Sequence, residues 1–524
     1  MNSKEIKIFR RTLGLFICIQ PILELMWLNN GTIGEVFGFS IPTLIRMVFM
    51  GILTLEWLYF GWNIKKLGGI LIYGIILGIY FVIHNNHCIA FNTLKGDGLG
   101  YSSIGELFYI VRMMIPIGVI FFTVECHVDR KLFYRCAIII SMEIAILVLI
   151  TNLLKISYGS YTNEVIKINF FDWFFTKKDM GYLMSASKGW FYSSIISTIL
   201  VLTLAYLIFM FLKYEKNRYI LAIWIQSVAL YMFGTKAASI SVIICLCLMI
   251  GCYIVLHTIK VENSWKWLAF LKIMVTFFAM IFVFIYSPCQ RRLGFEENYL
   301  EERNEEEEKR KEENGDELGL EQISDEDITS IIEYFDKNKD YLSINLSMLE
   351  GQYNYKYDPV FWKKFVEDTV PAQRMQNRYL EERILQRIQD INDNSADKFW
   401  GIGFTRASSV YNLERDFLYQ YYSMGSIGAF LLLGPYIIVL LWGMIKMIFP
   451  IKNCTLERCA LTLGLGLTFF VAYYSGNVME SLGITIAIGF AEGYFVNTII
   501  RKETDKNDTK DNSLYMGWWK RKTS

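Results

Sequence analysis

The chain has 524 residues, 53% of them hydrophobic and 16% aromatic, with a formal net charge of +1. So apolar a composition excludes a soluble globular domain and marks a membrane protein, and the balanced charge offers nothing to a nucleic-acid partner. Apolar stretches near or above the roughly 18 residues that suggest a bilayer crossing fall near 13–29, 41–61, 68–84, 106–123, 133–153, 190–212, 219–233, 237–257, 267–287, 423–445, 459–474 and 482–500. They predict an all-α polytopic membrane protein of about twelve transmembrane helices. The first stretch follows Lys4, Lys7, Arg10 and Arg11, as a signal peptide would. No small-residue cleavage site follows Leu28, so the helix is expected to be retained.

Charge placement sets the expected topology. With the N-terminus inside, every second short connection is basic: Lys65 and Lys66; Arg130, Lys131 and Arg135; Lys213, Lys216 and Arg218; Lys260 and Lys266; Lys446, Lys452 and Arg458. The opposite short connections are nearly free of Lys and Arg apart from 155–188, which is the positive-inside pattern. A plasma-membrane protein with both termini cytoplasmic follows. The chain then divides into transmembrane helices one to nine over 1–287, an external loop over 288–420, helices ten to twelve over 421–500, and a cytoplasmic tail over 501–524 that rests on the inner surface. Ten cysteines lie scattered, most in or beside apolar spans, with no CxxC pair. They predict packing rather than a disulfide or a metal site.

The external loop has two unlike halves. From Glu296 to Asp327 sixteen residues are acidic and four basic, a tract too charged to bury surface and therefore expected to be disordered or a loose helix. Over 341–393 a helical cap is expected. Pro371 can start a helix, and Met375, Tyr379, Ile384 and Ile388 recur at helical spacing, making an amphipathic helix that would lie across the outer mouth of the bundle. The connection 155–188 is rich in aromatics (Phe170, Phe171, Trp173, Phe174, Phe175) that suit the headgroup belt. It ends at Lys188, which is either part of an interfacial anchor or directed at a lipid-linked or sugar ligand.

Ionisable side chains packed against the mouth of a span are costly to desolvate and usually serve chemistry or a charged ligand. Four places fit. Lys236 sits in GTKAAS between two apolar segments and must snorkel or face an anion. Arg374 and Arg378, four apart, would share one helix face. Arg406 follows a GIG turn. Glu414 and Asp416 flank Arg415 at the mouth of a span; a carboxylate shielded there could accept a proton from a sugar hydroxyl, although helix N-termini also favour acidic residues. Several cations with one or two carboxylates suit an anionic leaving group such as a diphosphate, which arginine grips in bidentate fashion. Weaker signals are His84 and His87, an HxxH without a third ligand, and Glu24 with Arg46 inside the first two spans, where mutual pairing or a polar interior is expected. No GxxxxGK[ST] phosphate loop is present.

The motifs KGWFYSS at 188–194, GTKAA at 234–238, NRYLEERI at 377–384, and FWGIGFTR followed by ERDFLYQYYSMGSIG over 399–428 occur in an order that resembles the O-antigen ligase and O-antigen polymerase superfamily, in the branch found in capsular and exopolysaccharide clusters. The likeness covers most of the chain. It implies about a dozen helices, a large external loop capping a cavity, no metal and no nucleotide cofactor. It further implies an inverting glycosyltransferase that moves a glycan from undecaprenyl diphosphate to a hydroxyl on a glycan or lipid-linked acceptor. Lys236 stands where the family usually has an arginine, and Arg378 matches an arginine of the external loop. Glu414 falls where ligases carry a histidine, eleven residues before Gly425.

On this reading Lys236, Arg374, Arg378 and Arg406, with Lys188 nearby, would hold the donor diphosphate. Glu414 would be the general base and Asp416 would assist. The resemblance leaves open polymerase or ligase, and whether a flippase or chain-length regulator takes part. The rival from another class is a transporter or flippase of lipid-linked oligosaccharide. A metal-dependent polyprenyl-phosphate glycosyltransferase would resemble its relatives in an acidic pair on the first outer loop, where only Glu35 stands.

Overall fold

In chain order the principal helices are α1 (Ser3–Cys18), α2 (Ile41–Phe60), α3 (Ile64–Ile89), α4 (Ser103–Glu125), α5 (Arg130–Leu153), α6 (Ser197–Tyr214), α7 (Asn217–Met232), α8 (Lys236–Thr258), α9 (Trp267–Ile285), α10 (Pro288–Glu313), α11 (Ile328–Asn338), α12 (Pro359–Glu367), α13 (Asn377–Asn392), α14 (Phe404–Val410), α15 (Asp416–Ile448), α16 (Leu456–Tyr474) and α17 (Leu482–Ile500). This computed structural model describes residues 3–29, 40–175, 181–261, 265–313, 320, 323–410, 413–474 and 476–500. The expected tail over 501–524, the loop bearing Glu35 and part of the acidic tract lie outside them. The protein is an all-α polytopic membrane protein; its one small antiparallel pair among the described residues joins β1 (Tyr158–Gly159) to β2 (Ser187–Gly189).

Ten of the described helices, α2 to α6, α8, α9 and α15 to α17, are long and apolar enough to cross a bilayer. Two of the twelve predicted spans are shorter. Helix α7 has 16 residues, roughly 24 Å at 1.5 Å per residue, less than a hydrocarbon core of about 30 Å. The stretch 13–29 is divided: α1 ends at Cys18, and short helices Gln20–Leu23 and Met26–Asn29 follow, with Pro21 in the first and Glu24 between them. Arg46 reaches Glu24 at 2.6 Å and Gln20 at 2.8 Å, so these two intramembrane charges pair, one of the two arrangements expected of them.

Helix α6 is apolar all round and buried from Ser197 to Leu212, as befits the centre of a bundle. On α17, Gly489 and Gly493 stand where a Cβ would lie 2.5 Å from the Pro116 carbonyl oxygen and 2.8 Å from that of Ile120. This GxxxG spacing lets α17 lie against the backbone of α4. Helices α2, α3 and α9 leave most of their apolar surface uncovered by protein, consistent with lipid contact.

The described part of the acidic tract up to Glu313 is helical and belongs to α10. The pairs Arg303 with Glu306 and Lys309 with Glu305 run along its turns. Over 341–393 the chain forms the short helix Leu346–Leu349, α12, the short helix Pro371–Arg374 and α13, which are together called the cap. Its amphipathic helix starts at Asn377, because Gln376 takes an extended ψ of 90° after the short helix Pro371–Arg374. Ile384 and Ile388 are buried on it as expected, together with Leu380 and Leu385, while Met375 and Tyr379 are half-buried.

The cap is joined to the bundle at the GIGF turn. Helix α15 is interrupted at Gly425, whose φ of 69° and ψ of 173° are open only to glycine at low cost. The interruption turns the Tyr422 and Ser423 carbonyls toward the cap, where they accept from the amides of Ile402 and Gly403, each at 2.9 Å. Glu106 at the start of α4 ties the same turn from the other side. It accepts from the Phe404 and Thr405 amides at 3.0 and 2.6 Å and the Thr405 hydroxyl at 2.7 Å, and meets His84 Nε2 at 3.1 Å. His87 meets Asp397 at 2.7 Å, so both histidines of the HxxH serve this joint. Glu106→Ala orphans three partly buried donors and is expected to destabilise the protein by about 2 kcal/mol. The readout is a lower unfolding temperature with faster proteolysis near 400–406; unchanged values in both would refute it.

Candidate active site

The first two turns of α13 carry Arg378, Glu381 and Glu382, three and four residues apart and therefore neighbours on its surface. Arg378 donates from Nε and Nη2 to Glu414 Oε2 at 3.2 and 2.7 Å. Next to it Arg415 donates to Glu382 Oε2 at 3.2 Å. These two charge pairs hold the strip 414–416, at the start of α15, against α13. From the other side the Gly476 amide donates to the Glu414 carbonyl at 3.1 Å, and the Val478 amide to Asp416 Oδ2 at 2.8 Å. The turn between α16 and α17 is in turn held by Arg112, which donates to the Glu480 carbonyl.

Glu414 and Asp416 thus have different settings. The Glu414 side chain is 51% exposed and keeps one oxygen away from Arg378; a solvent-reachable carboxylate with a fixed cation beside it can accept a proton. Asp416 is 1% exposed and directed at the backbone of 478–480, which makes it a positioning residue for the strip. Beneath Glu414 lies Glu381, 2% exposed, beside the Glu414 peptide N–H and carboxylate. Burial, reinforced by the Glu414 charge, pushes the Glu381 carboxyl up to about 8 despite Arg378 and Arg415.

The remaining predicted cations are placed as follows. Lys236, at the start of α8, meets Glu296 at 2.6 Å, and Arg292 reaches the same carboxylate at 2.6 Å and the Tyr161 hydroxyl at 2.6 Å. Burial raises Glu296, but the hydrogen bonds from Lys236 and Arg292 outweigh it and leave the carboxyl below its ordinary value. Arg374 is buried and donates to the carbonyls of Thr369 and Leu342 at 3.1 and 3.2 Å. It ends one short helix while Arg378 opens the next, so the shared face expected for the two arginines does not form. Arg406 is buried between the rings of Phe91 and Tyr101 and donates to the carbonyls of Gly98, Ile402 and Cys88. Lys188, buried in β2, donates to the Tyr192 carbonyl at 3.0 Å, and burial lowers its pKa. The fold therefore brings Arg378 and Glu414 into contact, sets Lys236 in a second ionic cluster, and directs Arg374, Arg406 and Lys188 at main-chain oxygens.

A family model described as O-antigen ligase like membrane protein matches residues 6–502. The chain belongs to this family. No curated protein matches the sequence. Membership assigns this O-antigen ligase-like protein a function related to glycan transfer and a multi-pass place in a membrane.

Three charged residues of this O-antigen ligase-like protein escaped the sequence reading. Glu381 lies three and seven residues before Ile384 and Ile388, on the apolar face of α13, and a carboxylate breaking an apolar stripe was the available signal. Arg292 and Glu296 stand four apart at the end of an apolar run, but Glu296 merges with the acidic tract that follows. The raised Glu381 value has a measurable consequence. The folded state keeps this proton up to about pH 8 and the unfolded chain releases it near the ordinary 4.5, so stability falls as pH rises between those values and is level above. Glu381→Gln is expected to abolish that slope and to unfold at a higher temperature than the wild type above pH 8. Parallel unfolding curves from pH 4 to 9 would refute a proton on Glu381.

Proposed function

We propose that this protein is an inverting glycosyltransferase working at the external face of the plasma membrane, moving a glycan from undecaprenyl diphosphate to an acceptor hydroxyl without metal or nucleotide. The observation that carries the reading is the Arg378–Glu414 pair, a half-exposed carboxylate and a guanidinium from two separate stretches of chain at the mouth of a span. Glu414 takes the proton from the acceptor hydroxyl. The oxygen attacks the anomeric carbon from the face opposite the leaving group, the bond from that carbon to the diphosphate oxygen breaks, and the configuration inverts. The departing diphosphate carries the negative charge away, and Arg378 and the Lys236–Arg292 cluster are the cations that can exchange a carboxylate partner for it. Asp416, Arg374, Arg406 and Lys188 act on this reading by fixing the segments that carry those groups.

Purified protein given lipid-linked repeat units and no second enzyme is expected to lengthen the glycan or move it to an acceptor. Absence of any product, with the protein folded, would overturn the proposal. In cells lacking the protein, single repeat units on lipid would mean a polymerase, and finished polymer left on its carrier a ligase. One observation favours a transporter of lipid-linked oligosaccharide: α15 is interrupted, and transporters place substrates at broken helices. Here, however, the carbonyls turned outward by the break are taken by Ile402 and Gly403. Movement of lipid-linked glycan across vesicles containing only this protein would revive that reading.

A further inference from the structure

Between α12 and α13 runs a groove with a volume of about 180 Å³. One wall carries Phe361 and Phe365, a turn apart, their ring centroids 6.1 Å from each other and their planes 23° apart. The other carries Arg383, Gln386, Arg387 and Asp390, at the three- and four-residue spacing that puts them on one face of α13. We infer that this groove is a glycan-binding subsite that holds one or two sugar rings of the chain being transferred or extended, an inference that rests on the proposed glycosyl transfer.

The chemistry of the walls selects this ligand class. A pyranose ring has an apolar face of C–H groups and a rim of hydroxyls; the first suits an aromatic strip, the second a row of planar amide, carboxylate and guanidinium groups. Charge argues against a polyanion. Arg387 is already held by Asp358 at 2.8 Å and Lys364 by Asp325 at 3.3 Å, while Asp368 and Asp390 stand in the groove itself. A purely apolar ligand would cover the Asp368 and Asp390 carboxylates without offering them a hydrogen bond. Size limits the occupant as well, since drug-sized sites begin near roughly 300 Å³.

Position links the groove to the transfer site. Gln386 lies one turn beyond Glu382, the partner of Arg415, and its side chain reaches the Tyr422 hydroxyl on α15 at 3.2 Å. The groove wall and the Arg378–Glu414 pair therefore occupy consecutive turns of the same helix, so a chain bound at the pair can continue around α13 into the groove. Donor and acceptor glycans share the chemistry, and kinetics separate them: a groove serving the acceptor raises the acceptor KM, and one serving the donor raises the donor KM.

The test uses the full chain in lipid nanodiscs. The probe is the oligosaccharide released by mild acid from the lipid-linked glycans of the producing cells, with binding read by saturation-transfer NMR. The wild type and Gly466→Ala are expected to bind it alike, and Phe361→Ala and Asp390→Ala to bind at least tenfold more weakly. Asp390 is exposed, so its variant keeps the test valid if loss of Phe361 disturbs folding. Equal binding by the wild type and both groove variants, no binding by the wild type, or displacement of the probe by inorganic diphosphate would overturn the inference. Groove-dependent binding without any transfer would leave the subsite standing and remove the proposed transferase. Normal transfer with groove-independent binding would remove only the subsite.

Discussion

Replacing Glu414 by Gln is expected to lower glycan transfer by about 100-fold to 10,000-fold, the usual cost of losing a general base, while leaving the protein folded. The side chain is half exposed, and an amide oxygen can still accept from Arg378, so the strip 414–416 keeps its anchor. What the amide lacks is the capacity to take a proton. A charge exchange, Arg378→Glu with Glu414→Arg, separates chemistry from architecture: the ion pair is restored, the base now sits on the wrong element, and transfer should stay as low as in Glu414→Gln. Near-wild-type transfer by Glu414→Gln would remove the base assignment, and full activity in the exchanged protein would reduce the pair to a structural tie.

The second large effect is expected at Gly425. A Cβ there would lie 2.2 Å from the Phe399 carbonyl oxygen, and one at Gly401 would lie 2.3 Å from that of Ser423; neither contact can be relieved without moving backbone. Gly425→Ala also forces an L residue into a backbone region costing on the order of 1–3 kcal/mol. The two hydrogen bonds donated by the Ile402 and Gly403 amides would be strained or broken, adding roughly 1 kcal/mol each. Together with the backbone clash these reach the lower end of the stability of an ordinary domain, about 5 kcal/mol, so little folded protein should be recovered from size exclusion. Gly401→Ala should behave alike. Gly466 in α16 has nothing within 4 Å of its would-be Cβ, and Gly466→Ala is the control, expected to be neutral or slightly stabilising. Normal yield and melting of Gly425→Ala would show that the joint is not closely packed.

Much of the architecture was legible because apolar run length carries it directly. The runs from 41–61 to 190–212 each became a span. The failures lie where distant atoms decide local geometry. Arg374 and Arg378 have the spacing of one helix face, but the Arg374 guanidinium is held by the Leu342 carbonyl and the chain extends at Gln376. Arg406 reads as a loop arginine, and nothing near it in sequence announces the Phe91 and Tyr101 rings or the Cys88 carbonyl that enclose it. Arg378 and Glu414 were both identifiable as unusual charges, whereas their contact, 36 residues apart in the chain, depends on where α13 packs. Glu381 was the most accessible omission, since its place on the apolar stripe needed only the helical period.

While the Glu106 carboxylate ties the turn from the other side, the joint closes at Gly401 and Gly425 through peptide groups and missing side chains. Its two hydrogen bonds specify no residue type at Ile402, Tyr422 or Ser423, and its close contact asks only that two positions carry hydrogen in place of carbon. This part of the attachment tolerates exchange of the Ile402, Tyr422 and Ser423 side chains, whereas the part made by Glu106 does not. Substitutions that reshape the aromatic strip and polar row between α12 and α13 therefore leave this backbone seat intact, whereas any side chain added at either glycine does not.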